Sequence, residues 1–120
     1  MFVIRLKDRN NRVANPTWER IESAIRGLDG DDLFLKGTDD SSMIVGGQNG
    51  RYFAQITLNG SDFHTLLGKT KSKKQVPLVV GNQEINLESY KISNLDDVLK
   101  AANTFALDGK VDEGLRWKLL

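Results

Sequence analysis

The sequence predicts an α+β fold, with an antiparallel β-sheet meander of about five or six strands and two helices packed on one face. Two segments carry apolar residues at helical spacing, one near the start of the chain and one near its end. The stretch between them contains short β-forming runs and the pair Asn49-Gly50, a strong hairpin signal. A chain of 120 residues fits a single domain, residues 1–120, with a substantial core.

The first helix is predicted to follow a short strand and a loop. Residues 2–6 are β-forming and indicate an opening strand, whereas residues 8–14 are polar and indicate a loop. Asn15 is a good N-cap, and Pro16 suits the first helical position because its missing N–H has no helical partner there. One apolar stripe then follows at helical spacing: Trp18, Ile21, Ala24, Ile25 and Leu28.

The middle of the chain is predicted to form the meander. The β-forming runs are residues 32–36, 42–46, 51–58, 76–80 and 85–92. The Asn-Gly pair joins the second and third of these runs, because both of its residues tolerate the positive φ of a tight hairpin turn. Pro77 places its run at a sheet edge or at a strand start, where it could pair with another strand.

The second helix and a short tail complete the predicted fold. Ser93 is the predicted N-cap, and Gly109 stands where a C-terminal glycine is expected. The helical stripe consists of Leu95, Val98, Leu99, Ala102, Phe105 and Ala106. Leu115, Trp117, Leu119 and Leu120 then alternate, which predicts a final short strand or an extended segment on the core.

Composition argues against several classes of function. With 17 Lys and Arg against 16 Asp and Glu, the net charge of +1 gives no global attraction to nucleic acid or to a membrane. The chain has no Cys and one His, which removes thiol nucleophiles, disulfides and two-His metal motifs. No catalytic residue, metal or cofactor is therefore expected, and the protein is predicted not to be an enzyme. No targeting or membrane segment is visible, so we expect a cytoplasmic protein.

Two carboxylate clusters and one lysine run are the notable charged features. Asp29, Asp31 and Asp32 precede the strand at residues 32–36, and Asp39 and Asp40 follow it. They are interpreted either as turn residues, as an acidic patch for a basic partner, or as a metal site. The lysines at 69, 71, 73 and 74 lack interleaved aromatic residues, so they indicate a solvated loop rather than a nucleic-acid site.

Four segments in order carry a resemblance to a known family. They are Asn15-Pro16-Thr17-Trp18 with Ile21 and Ala24-Ile25; Val45-Gly46-Gly47-x-x-Gly50 followed by Tyr52; Leu78-Val79-Val80-Gly81; and Ala101-Ala102-x-x-Phe105 with Leu115-x-Trp117. Over residues 15–119 the series resembles the Imm-one family of bacterial immunity proteins. One departure is Gly81-Asn82, where the family more often has a glycine pair.

The resemblance implies a function. Proteins of this family are encoded beside a polymorphic toxin that contact-dependent or type VI secretion delivers, and they bind and block the toxin's C-terminal domain in the cytosol. The toxins are often nucleic-acid enzymes such as deaminases or nucleases. The expected partner is therefore a cognate toxin domain, bound by a monomer in a 1:1 complex, with no nucleic acid and no membrane involved.

We expect inhibition to occur by occlusion of the toxin's active site. A nucleic-acid enzyme has a basic cleft for phosphates, which favours carboxylates on the inhibitor. The hypothesised toxin-binding residues are the five clustered aspartates, with four further side chains as anchors if they are exposed: Arg51, Tyr52, Phe63 and Tyr90. The loop at residues 59–74 is a rival surface. The alternative function is a small-molecule-binding or enzymatic α+β domain with its pocket between sheet and helices.

Overall fold

The computed structural model describes residues 1–119, which form two antiparallel sheets and two α-helices. The elements in chain order are β1 Arg5–Lys7, β2 Arg12–Ala14, α1 Trp18–Arg26, β3 Asp32–Lys36, β4 Ser42–Gln48, β5 Arg51–Thr57, β6 Phe63–Leu66, β7 Gln75–Val80, β8 Gln83–Glu88, a 3₁₀ turn Ser89–Lys91, α2 Leu95–Asp108 and β9 Trp117–Leu119. The larger sheet has the order β2-β1-β3-β4-β5-β6-β9, and β7 and β8 form a separate hairpin. The α+β class is confirmed, but the prediction of five or six strands in one meander is wrong.

One hydrophobic core joins strands and helices. Along β3, β4 and β5, every second side chain is buried, as expected for a sheet with a core on one side. The buried side chains of both helices belong to the same core: Ile21, Ile25, Val98, Leu99, Ala101, Ala102, Phe105 and Ala106. Trp18 and Trp117 are partly buried against it. Leu120 lies outside the described residues.

The first turn of the sheet was not predicted. Residues 8–14 were expected to form a loop, but Arg12–Ala14 is strand β2, paired with β1. The Asp8 carboxylate accepts hydrogen bonds from the backbone N–H groups of Asn10 and Asn11, at 3.0 and 2.8 Å. This Asx turn reverses the chain within four residues, so the polar segment forms a hairpin.

Both helices begin later than the sequence predicted. The N-cap of α1 is Thr17, whose hydroxyl accepts from the Arg20 N–H, while Asn15 has a φ of 50° and lies outside the helix. The N-cap of α2 is Asn94, whose side chain accepts from the Asp97 N–H at 2.8 Å. Ser93 is instead held by backbone hydrogen bonds to Tyr52. Gly109 ends α2 in the left-handed conformation, as predicted.

The prediction that β4 and β5 pair antiparallel around the Asn-Gly turn is confirmed. Gln48 pairs with Arg51 across Asn49 and Gly50, whose φ values of 53° and 77° fit the tight turn that this pair favours. β6 was not predicted, and it lies inside the segment at residues 59–74 that was interpreted as a loop. The final strand β9 pairs with β6, which confirms the prediction of a short strand in the tail.

The β7–β8 hairpin packs against the side of the sheet that faces away from the core. Gly46 faces outward on β4, opposite Asp32 on β3 and Phe53 on β5. A Cβ atom at Gly46 would lie 2.4 Å from Val80 Cγ1, so the missing side chain is what lets β7 approach. The Arg51 guanidinium also donates to the Pro77 carbonyl oxygen at 2.9 Å.

No helix of the described residues is long and apolar enough to cross a membrane.

We predict that Gly46→Ala destabilises the fold by about 1–3 kcal/mol, because its methyl group overlaps Val80 and pushes the hairpin off the sheet. Urea unfolding measures the change. The double variant Gly46→Ala/Val80→Ala frees the space again and is expected to recover part of the loss. Purely additive effects of the two substitutions would show that the overlap is not the cause.

Candidate functional site

Basic side chains gather on the outward side of the first three strands of the large sheet. Arg5 and Lys7 point outward from β1, because Leu6 between them is buried. Arg12 on β2 and Lys36 on β3 share this side, since each lies directly opposite an outward residue of β1. With Phe34 they line an open cleft of about 480 Å³, here called the basic cleft.

The basic cleft places like charges opposite each other. Lys7 pairs in register with Arg12, and Arg5 pairs in register with Lys36. Side chains at such positions have Cβ atoms only about 4.5–5.5 Å apart, and like charges there destabilise the sheet. Within residues 1–119, none of these cations has a carboxylate within ion-pairing distance. No ion pair with a carboxylate of the described residues therefore offsets this repulsion in the free protein.

Phe34 gives the basic cleft an apolar component. It lies in register between Lys7 on β1 and Ile44 on β4, and it is 39% exposed. The strand pattern Asp-Leu-Phe-Leu-Lys buries Leu33 and Leu35, which leaves Phe34 on the outward side. A large aromatic side chain at an outward strand position beside cations is typical of a contact surface.

Of the four cations, only Lys36 is tied down by the fold. Its ammonium group donates to the backbone oxygens of Asp39 and Ser41 in the β3–β4 turn. The side chains of Arg5, Lys7 and Arg12 are exposed, and no hydrogen bond joins them to the other described residues.

The charge of this surface changes at its borders. On one side, a neighbouring cleft of about 520 Å³ is lined by Lys7, Asp8, Arg9, Asp32 and Phe34, so two carboxylates lie there. On the other side, the outward residues of β4 and β5 that continue the rows are uncharged: Ser42, Ile44, Gln55 and Thr57. The positive charge is thus confined to the breadth of three strands, about 10 Å.

The five aspartates of the sequence hypothesis lie at two opposite ends of β3. Asp29, Asp31 and Asp32 precede the strand, with the Asp31 carboxylate accepting from the Asp29 N–H at 3.0 Å. Asp39 and Asp40 lie in the turn before β4, where Asp39 has a φ of 58°. Some of these carboxylates serve the turns, and together they form two separate groups rather than one patch.

The four proposed anchor residues are also spread over the molecule. Arg51 is exposed near the Asp32 end but is engaged with Pro77. Phe63, 36% exposed, begins β6 near the Asp39 end. Tyr52 is only 4% exposed, and its ring belongs to the core, so it does not meet the condition for an exposed anchor. Tyr90 is half-buried in the 3₁₀ turn.

Tyr90 belongs to a second basic cleft, of about 290 Å³, whose charged lining residues are Lys71, Lys73, Arg116 and Lys118. Here the fold uses part of the charge. Lys118 donates to the Tyr90 hydroxyl at 2.9 Å, and this hydrogen bond raises the pKa of Lys118. Arg116 donates to the Gly68 carbonyl oxygen at 3.1 Å. Two of its cations thus already have structural partners, unlike Arg5, Lys7 and Arg12.

Sequence reasoning missed the basic cleft although a signal was present. The triplets Arg5-Leu6-Lys7 and Arg12-Val13-Ala14 alternate, with basic residues at outward positions, but each is only three residues long. Phe34 is an apolar residue at an outward strand position, where a polar residue is expected. Interpreting residues 8–14 as a loop removed the strand that brings Arg12 beside Lys7.

Comparisons with known proteins find no family model and no curated protein that matches this chain. Among residues 1–119, no group of three or more His, Cys, Asp or Glu side chains is placed to hold a metal ion.

We predict that Arg5→Glu/Arg12→Glu stabilises the free protein by about 1 kcal/mol, because each like-charge pair becomes an opposite-charge pair. Urea unfolding at low and high ionic strength measures the change in the free energy of unfolding, and salt is expected to reduce the stabilisation. Lys69→Glu/Lys110→Glu makes the same change of net charge at exposed positions outside the strands, and its effect should stay near zero. Equal effects of the two variants would contradict the like-charge interpretation.

Proposed function

We propose that this chain is an immunity protein that binds a cognate secreted toxin domain and inhibits it by occluding its active site. The observation that carries the proposal is the basic cleft, where exposed Phe34 lies among cations that the fold leaves unpaired. Apolar anchors bordered by charged residues are the usual composition of a protein–protein contact. The sequence resemblance to the Imm-one family supplies the kind of partner.

The unfavourable arrangement of charge supports a role in binding. Proteins keep locally destabilising features mainly where function needs them, because most other surface positions are free to change. Two in-register like-charge pairs on adjacent strands are such a feature. A bound partner that supplies negative charge would relieve both pairs together.

The proposal takes both helices to cover the same face of the large sheet. It is supported by the shared core and by contacts of α2 with α1, β4 and β5. This arrangement leaves the other face for the β7–β8 hairpin and for the basic cleft. In keeping with the sequence resemblance, the partner is proposed to be a nucleic-acid-targeting toxin such as a deaminase or nuclease, held by one monomer in the cytoplasm.

The alternative, a small-molecule site between sheet and helices, gains no support from the structure. That position holds fully buried side chains, including Ile56 from β5 and Phe105 from α2. The clefts described above open on the outward side of the sheet or at its β6–β9 edge.

Co-expression with the domain encoded by the adjacent upstream gene tests the proposal. We expect that domain to be toxic alone, harmless when this chain is present, and recovered with it in a 1:1 complex with a Kd of nanomolar order. A toxic domain from an unrelated system serves as the control and should remain toxic. If the neighbouring domain is harmless or does not bind, the proposed function is wrong.

A further inference from the structure

We propose that the basic cleft binds an acidic loop of a protein partner, whose carboxylates pair with Arg5, Lys7 and Arg12 while an apolar side chain covers Phe34. This inference rests on the proposed function and deepens it, because it names the surface used and the chemistry of the partner. It also assigns the opposite charges to the two partners. The sequence led us to expect aspartates of this chain to meet a basic cleft of the toxin, whereas here cations of this chain meet carboxylates of the partner.

Two rows of outward residues cross the sheet through the basic cleft without a carboxylate. In register across the sheet, one row runs Arg12, Lys7, Phe34, Ile44, Gln55, Thr65 and Lys118, and the next runs Ala14, Arg5, Lys36, Ser42, Thr57 and Phe63. Neither row contains a carboxylate, although the chain has 16. The outward carboxylate of β3 is Asp32, which lies beside Gly81 of the hairpin turn. The two rows thus match a negatively charged partner, whereas the carboxylates of Asp8 and Asp32 lie beside them in the neighbouring cleft.

The limited extent of the positive charge favours an acidic protein over a nucleic acid as the partner. Each strand of a DNA duplex carries a phosphate about every 3.4 Å along the helix axis, and a nucleic acid needs a continuous cationic track. Here the charge extends over β2, β1 and β3 and then stops at Ile44 and Gln55. One aromatic ring lies in the cleft, whereas binding of single strands uses successive stacked rings. A compact acidic loop fits a short charged area with an apolar centre.

The charge of the basic cleft also determines which part of the toxin surface it binds. If the toxin acts on nucleic acid, its phosphate track is basic and is repelled by the basic cleft. The cleft then binds beside that track, on an acidic part of the toxin surface. Asp39 and Asp40, exposed at the end of the same β3 strand, extend the contact toward the track. The cleft anchors the toxin, and the neighbouring surface covers its active site.

The experiment compares variants of the full chain in binding the toxin domain by calorimetry at two ionic strengths. Arg5→Glu/Arg12→Glu is expected to raise the Kd about 100-fold at low salt and to weaken its salt dependence. Arg20→Glu/Lys110→Glu, with the same change of net charge at exposed positions outside the cleft lining, should bind within a few-fold of the wild type. Phe34→Ala is expected to raise the Kd at least tenfold, and Leu107→Ala, another exposed apolar residue, should not.

Other outcomes of the same series overturn the inference. If Asp39→Asn/Asp40→Asn weakens binding while Arg5→Glu/Arg12→Glu leaves it unchanged, the acidic end is the toxin-binding surface, and only the proposed function stands. Unfolding curves of each variant exclude loss of structure as the cause, since the two arginine substitutions are expected to stabilise the fold.

Two probes test the cleft without the toxin. Amide shifts are followed by NMR during titration with an oligoglutamate peptide and, separately, with single-stranded oligothymidylate. The peptide is expected to shift residues around Lys7 and Phe34 in the wild type and in Arg20→Glu/Lys110→Glu, but not in Arg5→Glu/Arg12→Glu. If the peptide binds but the toxin domain does not, the assignment of the cleft as an acidic-peptide site stands and the proposed function is wrong. No peptide shifts, or shifts at the cleft by the oligonucleotide alone, would overturn the inference.

Discussion

The register of the large sheet is the constraint on which the rest of the structure depends. Leu6, Leu35, Met43 and Ile56 lie in register across β1, β3, β4 and β5, and all are almost fully buried. Because strand side chains alternate between two faces, a slip by one residue would turn this buried row outward. Fixing the row inward fixes the flanking residues outward. The like-charge pairs of the basic cleft are thus a direct consequence of burying the leucines beside them.

The hairpin β7–β8 divides the outward side of the sheet into a covered part and an open part. Its position depends on the absence of a side chain at Gly46 and on the hydrogen bond from Arg51 to Pro77. Asp32 lies beside Gly81 of the hairpin turn, and the open part of the outward side continues two residues further along β3, at Phe34. Neutral Ile44 and Gln55 then separate the open cleft from Lys118 at the far edge. An open area of limited size results, with its own charge and apolar centre.

Features that depend on neighbouring residues were predictable from the sequence, and features that depend on distant contacts were not. The stripe of α1, the Asn49-Gly50 turn and the glycine that ends α2 follow local rules, and all are present. The separation of β7–β8 from the meander depends on how Val80 meets Gly46, far away in the chain. The burial of Tyr52 likewise depends on how β5 meets the segment before α2, through its backbone bonds to Ser93. The basic cleft combines three short strands, each too short for a clear period, so only their pairing brings its cations together.

In the proposed complex, the charge of the basic cleft couples binding to stability. In the free protein, Lys7 faces Arg12 and Arg5 faces Lys36, and the repulsion lowers the stability of the sheet. A carboxylate placed between each pair changes repulsion into attraction, so the partner gains binding energy from relieving a cost that the fold already bears. Because a ligand that binds only the folded state stabilises it, the complex should unfold less readily than the free chain, by about 2.7 kcal/mol at about a hundred times the Kd. Salt screens the repulsion in the free protein and the attraction in the complex, so high ionic strength brings the two states closer together in stability. In the proposed complex, Arg5, Lys7 and Arg12 thus act against the free fold and in favour of the bound one.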